Sequence, residues 1–526
     1  MTPRTPLLRV LMALAAAATL AGCETDEEAG TADDPTDVDA TAFEPTFHDD
    51  PDCFGVDPAG LEDDEVTCGM VEVPLDHDAP EGETIHLAVS RYAGNDPETY
   101  EEPLLLLGGG PGQIMVEQHL TQRPLRRLMD VGPDVIVVDQ RGVGASEPAL
   151  ECPDLDDVET HETVAEDVAA SLDAMADCRR RLDEQGIDLS AFHHLANARD
   201  VDLVRRALGH DRINLQGTSY GTHVALLAAE MFPEAIRTVT LSSPVDPRGN
   251  WVEGTPVGVE RALDLVAQRC AEDEDCDEEL GDLQEAIDQT VDRLAERPEE
   301  VTVRTPGGEE VTEAYTPAKF AGGLIQLFYN ADLLSLLPAM VDEARDGDLT
   351  PLAWVVAAIE EELAETISDG MRFSMLCSAE AALASPEAAL ADVDNELIEE
   401  HWFPASVVGG EATSDACDLW DVELAYDPAT VELDSEVPTL TVTGEFDHVT
   451  PPQLGEQVHE ALHASHLVHV PGASHGPLEA LSLECRREVM EAFLLDPERA
   501  PDDRCAARTQ LALRTTLPPG FGMGLG

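Results

Sequence analysis

The residues best suited to chemistry in this chain are a serine, an aspartate and a histidine. Ser219 stands in Gly217-Thr218-Ser219-Tyr220-Gly221, a G-x-S-x-G run. A serine so flanked sits on a tight strand-to-helix turn; the glycines leave room for the turn, which thrusts the hydroxyl into the open above a sheet. The motif alone also describes a plain Gly/Ser turn. Here the strand-like run Arg212-Ile213-Asn214-Leu215 precedes it, and His223 to Met231 follows as an amphipathic helix. A serine hydroxyl is a poor nucleophile at neutral pH and needs a base, itself oriented by an acid. The order expected on such a turn is serine, acid, histidine. Asp447 follows a strand-like run in Gly444-Glu445-Phe446-Asp447, with Glu445 as its rival. His475 follows the next run, in Gly472-Ala473-Ser474-His475-Gly476, and that place singles it out among 16 histidines. His448, beside the acid, reads as a loop residue. An oxyanion formed in acyl transfer needs preorganised N–H donors. The Tyr220 backbone, next after the nucleophile, supplies one; the Gly110 backbone, in the turn Gly108-Gly109-Gly110-Pro111-Gly112, supplies the other. That turn has no Gly-Lys-Ser/Thr ending, so it is not a phosphate loop. The constellation calls for neither a metal nor an organic cofactor.

These residues need a scaffold that brings strand ends to one edge. Leu104 to Leu107, Asp134 to Asp139, Thr238 to Leu241, Val437 to Val442 and Ser465 to Val470 are short strand-like runs, each breaking into a loop. Such runs, separated by amphipathic stretches, indicate strands buried on both faces of a mostly parallel sheet flanked by helices. One stretch is a helix from Ala198 to Leu208, with Asn197 as N-cap and Gly209 as stop. Val71 to Pro74 and Ile85 to Tyr92 alternate like antiparallel strands. From about Asn250 to about Gly410 helical periodicity dominates, with a small hairpin at Thr302 to Val311 turning on Gly307-Gly308. The chain therefore reads as an α/β fold with an inserted, mainly helical cap. The expected boundaries are a signal segment 1–22, a disordered acidic tether 23–52, core 53–248, cap 249–410, core 411–500 and a tail 501–526.

Composition narrows the class. Of 526 residues, 108 are acidic and 30 basic, a formal net charge of −78. Phosphate neutralisation needs clustered basic side chains, so nucleic acid is not an expected partner. Lys319 is the one lysine. An acidic, lysine-poor surface fits a salty habitat, or simply an exported protein of a GC-rich genome. Arg4 and Arg9 precede the apolar stretch Val10 to Leu20, which is of signal-peptide length and short for a membrane span. It ends in Leu20-Ala21-Gly22-Cys23, which resembles a bacterial lipobox with Cys23 as the lipidated residue; the alternative is an ordinary secretory signal. Setting Cys23 aside leaves an even number of the 11 cysteines, with no metal-type spacing. Export to an oxidising compartment follows. Connectivity is not fixed by sequence; the simplest pairing of neighbours is Cys53–Cys68, Cys152–Cys178, Cys270–Cys276, Cys377–Cys417 and Cys485–Cys505.

Five runs in their order carry a resemblance. They are Gly109-Gly110-Pro111-Gly112, Asp139-Gln140-Arg141-Gly142-Val143-Gly144-Ala145-Ser146, the serine turn, Gly444-Glu445-Phe446-Asp447-His448-Val449-Thr450-Pro451 and the histidine turn. Together they resemble the α/β-hydrolases of the family that contains prolyl iminopeptidases and the exported tripeptidyl aminopeptidases of actinobacteria. The resemblance implies an α/β-hydrolase fold and cleavage of peptides at their free N-termini. It also implies a cap that limits substrate length and acidic cap groups that hold the amine. Cys377-Ser378-Ala379-Glu380 is similar to a cap segment of those enzymes, which makes Glu380 the candidate amine anchor. Gly108 and Gln113 depart from the family, which often has His and a small hydroxyl residue there. The expectation is an exported, membrane-tethered serine exopeptidase. An esterase or lactone hydrolase with the same triad and a non-catalytic binding lipoprotein are the alternatives.

Overall fold

The computed structural model describes residues 43–519 and 521, apart from 57–65, 97, 123–131, 156–157, 159–160, 162 and 407–409. The expected signal segment, Cys23 and the tether up to residue 42 lie outside the described residues.

The apolar runs become strands of one sheet. Its order is β1 (Thr46–Asp49), β2 (Val66–Pro74), β3 (Thr84–Tyr92), β5 (Val135–Val138), β4 (Leu104–Leu107), β6 (Ile213–Thr218), β7 (Ile236–Ser242), β10 (Thr439–Gly444) and β11 (Ser465–Val470). From β5 to β11 every pairing is parallel; β1, β2 and β3 add an antiparallel edge. Successive side chains of a strand leave opposite faces, so a strand buried on both must be apolar throughout. Strand β4 does this with four leucines. Leu105 and Leu107 enter the apolar cluster on one face, and Leu104 and Leu106 the cluster on the other. The stretch Thr302 to Val311 lies in a separate hairpin of β8 (Glu299–Arg304) and β9 (Glu310–Tyr315).

Three readings of local structure are corrected. The disordered tether does not extend to residue 52. Thr46–Asp49 pairs antiparallel with β2, and Phe47 lies over Gly69, where a Cβ would stand only 2.4 Å from the ring. The helix expected from Ala198 runs from His194 to Ala207. His193 caps it through Nδ1, and Asn197 turns inward to donate to Gln140 and to the Tyr220 hydroxyl. The helix after Ser219 starts at Tyr220, and its first ten residues are all buried. It is not amphipathic, because the sheet, the helix His194–Ala207 and the returning segment around Glu380 enclose it.

Between Trp251 and Thr366 the chain is helical apart from the hairpin and short connections, and its apolar side chains form a third cluster around Val259, Phe320, Leu337 and Leu352. The helix Asp369–Cys377 leaves that cluster, and Met371, Phe373 and Met375 pack into the core of the sheet. Leu511, Leu513, Leu517 and Phe521 lie against the helical cluster, so the described part of the expected tail is packed. All five simple cysteine pairs are bonded. Cys377–Cys417 closes the longest interval, 40 residues, and fastens the returning segment. Among the described residues no helix is long and apolar enough to cross a membrane.

Candidate active site

The Asp139-Gln140-Arg141 run builds the floor of the site. Asp139 is fully buried and accepts from the backbone N–H groups of Met115 (2.7 Å), Val116 (2.9 Å) and Ala145 (3.0 Å). Burial lifts its pKa to about 6. Gln140 donates to the Gly108 carbonyl, tying the glycine turn to the core. Arg141 is fully buried. It grips Asp200 with Nε and Nη2, each at 2.8 Å. Nη1 donates to the carbonyls of Leu75 and Ala191. Nη2 also faces the Pro74 carbonyl at 3.3 Å and His77 Nε2 at 2.9 Å, which itself lies 2.9 Å from Asp200.

Above this floor lies the serine turn. Ser219 has φ 55° and ψ −126°, a left-handed strain typical of functional positions. The glycines around it are steric necessities. A Cβ at Gly217 would lie 2.3 Å from the Gly221 carbonyl oxygen, and one at Gly221 2.1 Å from that of Leu107. The helix Tyr220–Met231 thereby approaches β4 and β6 closely, and the glycine turn faces the nucleophile: a Cβ at Gly109 would stand 3.6 Å from Ser219 Oγ. Gln113 explains its departure from the family pattern, because its Oε1 accepts from Gly109 N–H at 2.9 Å. Gly110 N–H and Tyr220 N–H form no hydrogen bond among the described residues. Both remain available for an oxyanion.

The acid and the histidine come together beyond β10 and β11. His475 Nδ1 lies 3.0 Å from each oxygen of Asp447. Asp447 is fully buried and also accepts from Ser243 Oγ (2.6 Å), Thr450 Oγ1 (2.8 Å) and the N–H groups of Val449 and Thr450. Burial alone would raise its pKa, but the His475 ring and these donors hold it down at about 2. Burial likewise disfavours charge on His475, yet the facing carboxylate outweighs it, and its pKa lies above the ordinary imidazole value. Glu445 is not the orienting acid, because its carboxylate faces Arg269 at 2.9 Å. The histidine loop is docked beside the nucleophile by Glu479, which accepts from Thr218 Oγ1 at 3.0 Å and Ser242 Oγ at 2.8 Å. Among the described residues Ser219 Oγ forms no hydrogen bond to His475 in this resting geometry; such contacts tighten when substrate binds.

The pH dependence follows in sign. Neutral His475 can take the serine proton; the protonated ring cannot. Because its pKa is raised, kcat/KM is expected to climb with pH through an inflection above the ordinary value of about 6.5. A pH–rate profile checks this, and Asp447→Asn should move the inflection down.

His448 lies in a loop, as read from the sequence, and is buried there; burial lowers its pKa to about 3. One sequence reading changes here. Glu380 is fully enclosed, its oxygens 3.2 Å from His194 Nε2 and 3.5 Å from His223 Nδ1. No open face remains for a substrate amine, so the anchor assignment is withdrawn. His223 Nε2 in turn lies 2.6 Å from the Tyr426 hydroxyl. The two imidazoles and the carboxylate form a group of metal-ligand type. The rings are stacked, however, 4.6 Å apart and 11° from parallel. Their lone pairs run side by side instead of converging on one ion. None of the facing atoms makes a hydrogen bond among the described residues, and the three side chains pack together between the segment around Glu380 and the nucleophile helix. Sequence reasoning missed Ser243, Thr450 and Glu479, and it noted Gln113 without its partner. Thr450, three residues past Asp447 in a turn, was the most findable, since hydroxyl residues at that offset commonly bond back to the acid.

This geometry defines a class: the chain belongs to the alpha/beta hydrolase fold family, whose sequence profile matches residues 102–479, and it is a serine hydrolase. Its relatives are individually distant. It is 27% identical over 458 residues to the serine protease Hip1 of Mycobacterium tuberculosis, covering 82% of this chain and 86% of the relative. It is 28% identical over 472 residues to carboxylesterase B of the same organism, covering 84% and 86%. A tripeptidyl aminopeptidase of Streptomyces lividans matches at 29% over 195 residues, 35% of this chain and 36% of the relative.

Proposed function

We propose that this chain is an exported serine exopeptidase that cleaves peptides from the free N-terminus through an acyl-enzyme on Ser219. The observation that carries the chemistry is the His475–Asp447 pair docked beside the strained Ser219 turn. Ser219 Oγ attacks the scissile carbonyl while His475 Nε2 takes its proton. Nδ1–H stays on Asp447, and the Gly110 and Tyr220 N–H groups receive the oxyanion. Nε2 then protonates the leaving amine, and water enters by the same route to free the acyl group. The relatives named protease and aminopeptidase support a peptide substrate. The preference for a chain end is supported by a contact beside the glycine turn, where Ser368 N–H donates to Gly112 O at 2.9 Å and Ile114 N–H to Thr366 O at 2.9 Å, so that the helical insert stands next to that turn. Five disulfides and the N-terminal signal pattern support export, with lipid anchoring at Cys23.

The carboxylesterase relative favours a second reading, ester hydrolysis by the same triad. A matched fluorogenic panel at low and high salt decides between them: aminoacyl, prolyl and tripeptidyl amides, an N-blocked tripeptidyl amide and a short ester. Cleavage of free-amine peptides that N-blocking abolishes is the expected result. Turnover of the ester alone overturns the exopeptidase reading. Release of Cys23-linked lipid on hydrolysis of the membrane fraction tests the anchor.

A further inference from the structure

One aromatic side chain of the helical insert reaches the catalytic histidine and remains open to solvent. Tyr329 ends the turn Leu327–Tyr329, and its ring stands edge-on to His475 with centroids 5.4 Å apart and planes at 82°. It meets buried His448 in the same way at 4.6 Å. It is nonetheless 46% exposed, the one aromatic among the exposed large apolar side chains of the described residues. Its backbone is fixed from both sides. Phe328 is fully buried and its carbonyl accepts from the Ser474 hydroxyl, next to His475. Asn330 caps the following helix, accepting from Asp332 N–H at 2.8 Å. The ring is therefore held in place on one side and bare on the other.

Its place in the reaction follows from which edge of His475 is free. Asp447 occupies Nδ1, so Nε2 alone serves the serine and then the departing group. A side chain packed on this imidazole borders the leaving group rather than the acyl part that stays on Ser219. We propose that Tyr329 is a specificity-determining residue: its exposed face is the wall against which the residue just after the scissile bond packs, favouring apolar or aromatic leaving groups. This rests on acyl transfer through Ser219 as proposed above. It adds a preference on the departing side, which neither the triad nor a chain-end requirement supplies.

The test uses two pairs of substrates, each sharing one acyl part. Peptides carry leucine or glycine after the scissile bond; esters carry benzyl or methyl alcohol, whose intrinsic reactivities are similar. The readout is the ratio of kcat/KM within each pair for wild type, Tyr329→Ala, Tyr329→Ser and Tyr329→Phe, with sites counted by fluorophosphonate titration. A ratio is independent of the fraction of folded protein. The wild type should prefer the apolar member by about tenfold, the order that contact of an aromatic ring with an apolar group carries. Tyr329→Phe should keep that ratio, and Tyr329→Ala and Tyr329→Ser should bring it close to one. An unchanged ratio in both small variants overturns the proposal. Failure of the exopeptidase reading shows separately, as indifference of the wild type to N-blocking, and the ester pair then still reads the wall.

Discussion

Ser219→Ala is expected to lower turnover by a factor on the order of 10⁶, and Asp447→Asn by about 10⁴. The two losses have different origins. Alanine removes the atom that bonds to the substrate. Asparagine keeps the shape but inverts a proton. The buried carboxylate holds His475 with its hydrogen on Nδ1, and the Ser243 and Thr450 hydroxyls and two backbone N–H groups all donate to that carboxylate. An amide cannot accept all of these, and its own NH₂ would force Nδ1 to become an acceptor. The hydrogen then moves to Nε2, which can no longer take the serine proton. Initial rates normalised to folded protein measure both effects. Activity of Asp447→Asn within tenfold of wild type would falsify the role of Asp447, as would an equal loss in Glu445→Gln.

The second large effect concerns stability. Arg141→Met is expected to cost about 3–5 kcal/mol, because removing one partner of a buried ion pair leaves the other poorly compensated, here with His77 alone beside Asp200. Asp200 would lose both guanidinium contacts, and the carbonyls of Leu75, Ala191 and Pro74 would lose their donors in the interior. Arg141→Lys should rescue little. An ammonium offers three donors from one point, whereas these acceptors are spread around a planar fork. Denaturant midpoints with the slope held constant are the measurement. A loss below about 1 kcal/mol for methionine would mean that the floor of the site is held mainly by packing.

What the sequence disclosed and what it hid divide along physical lines. Strands β4 and β5 were legible because burial on both faces leaves an uninterrupted apolar run, and β6, β7 and β10 because aliphatic residues alternating with small or polar ones break into a glycine- or serine-containing loop. The serine turn was legible from its steric signature, and the Asp447–His475 pair because both residues follow strands. The disulfides could be guessed because each joins cysteines close in sequence. Glu380 was misjudged because a glutamate in a chain with 108 acidic residues gives no sign that two histidines, 157 and 186 positions earlier by their numbering, will enclose it. Strand β1 was hidden for a related reason. Thr46–Asp49 is polar and mostly exposed, and only the backbone of β2 makes it a strand. The start of the helix at His194 was missed because histidine is not among the common capping residues.

The helical insert touches the acid loop in a way that bears on engineering. Arg261, in the helix Trp251–Glu272, donates to the backbone carbonyls of Glu445 and Asp447 at 2.9 and 2.7 Å, and Arg269 of the same helix pairs with Glu445. The roof of the enzyme is thus also a brace for the machinery beneath it. Grafting a foreign insert between the two halves of the sheet, to give the hydrolase a new diet, would cut that brace along with the old walls. A transplant that preserves both arginines and their register should keep its chemistry; one chosen for pocket shape alone should arrive with a slack acid loop and a slow base.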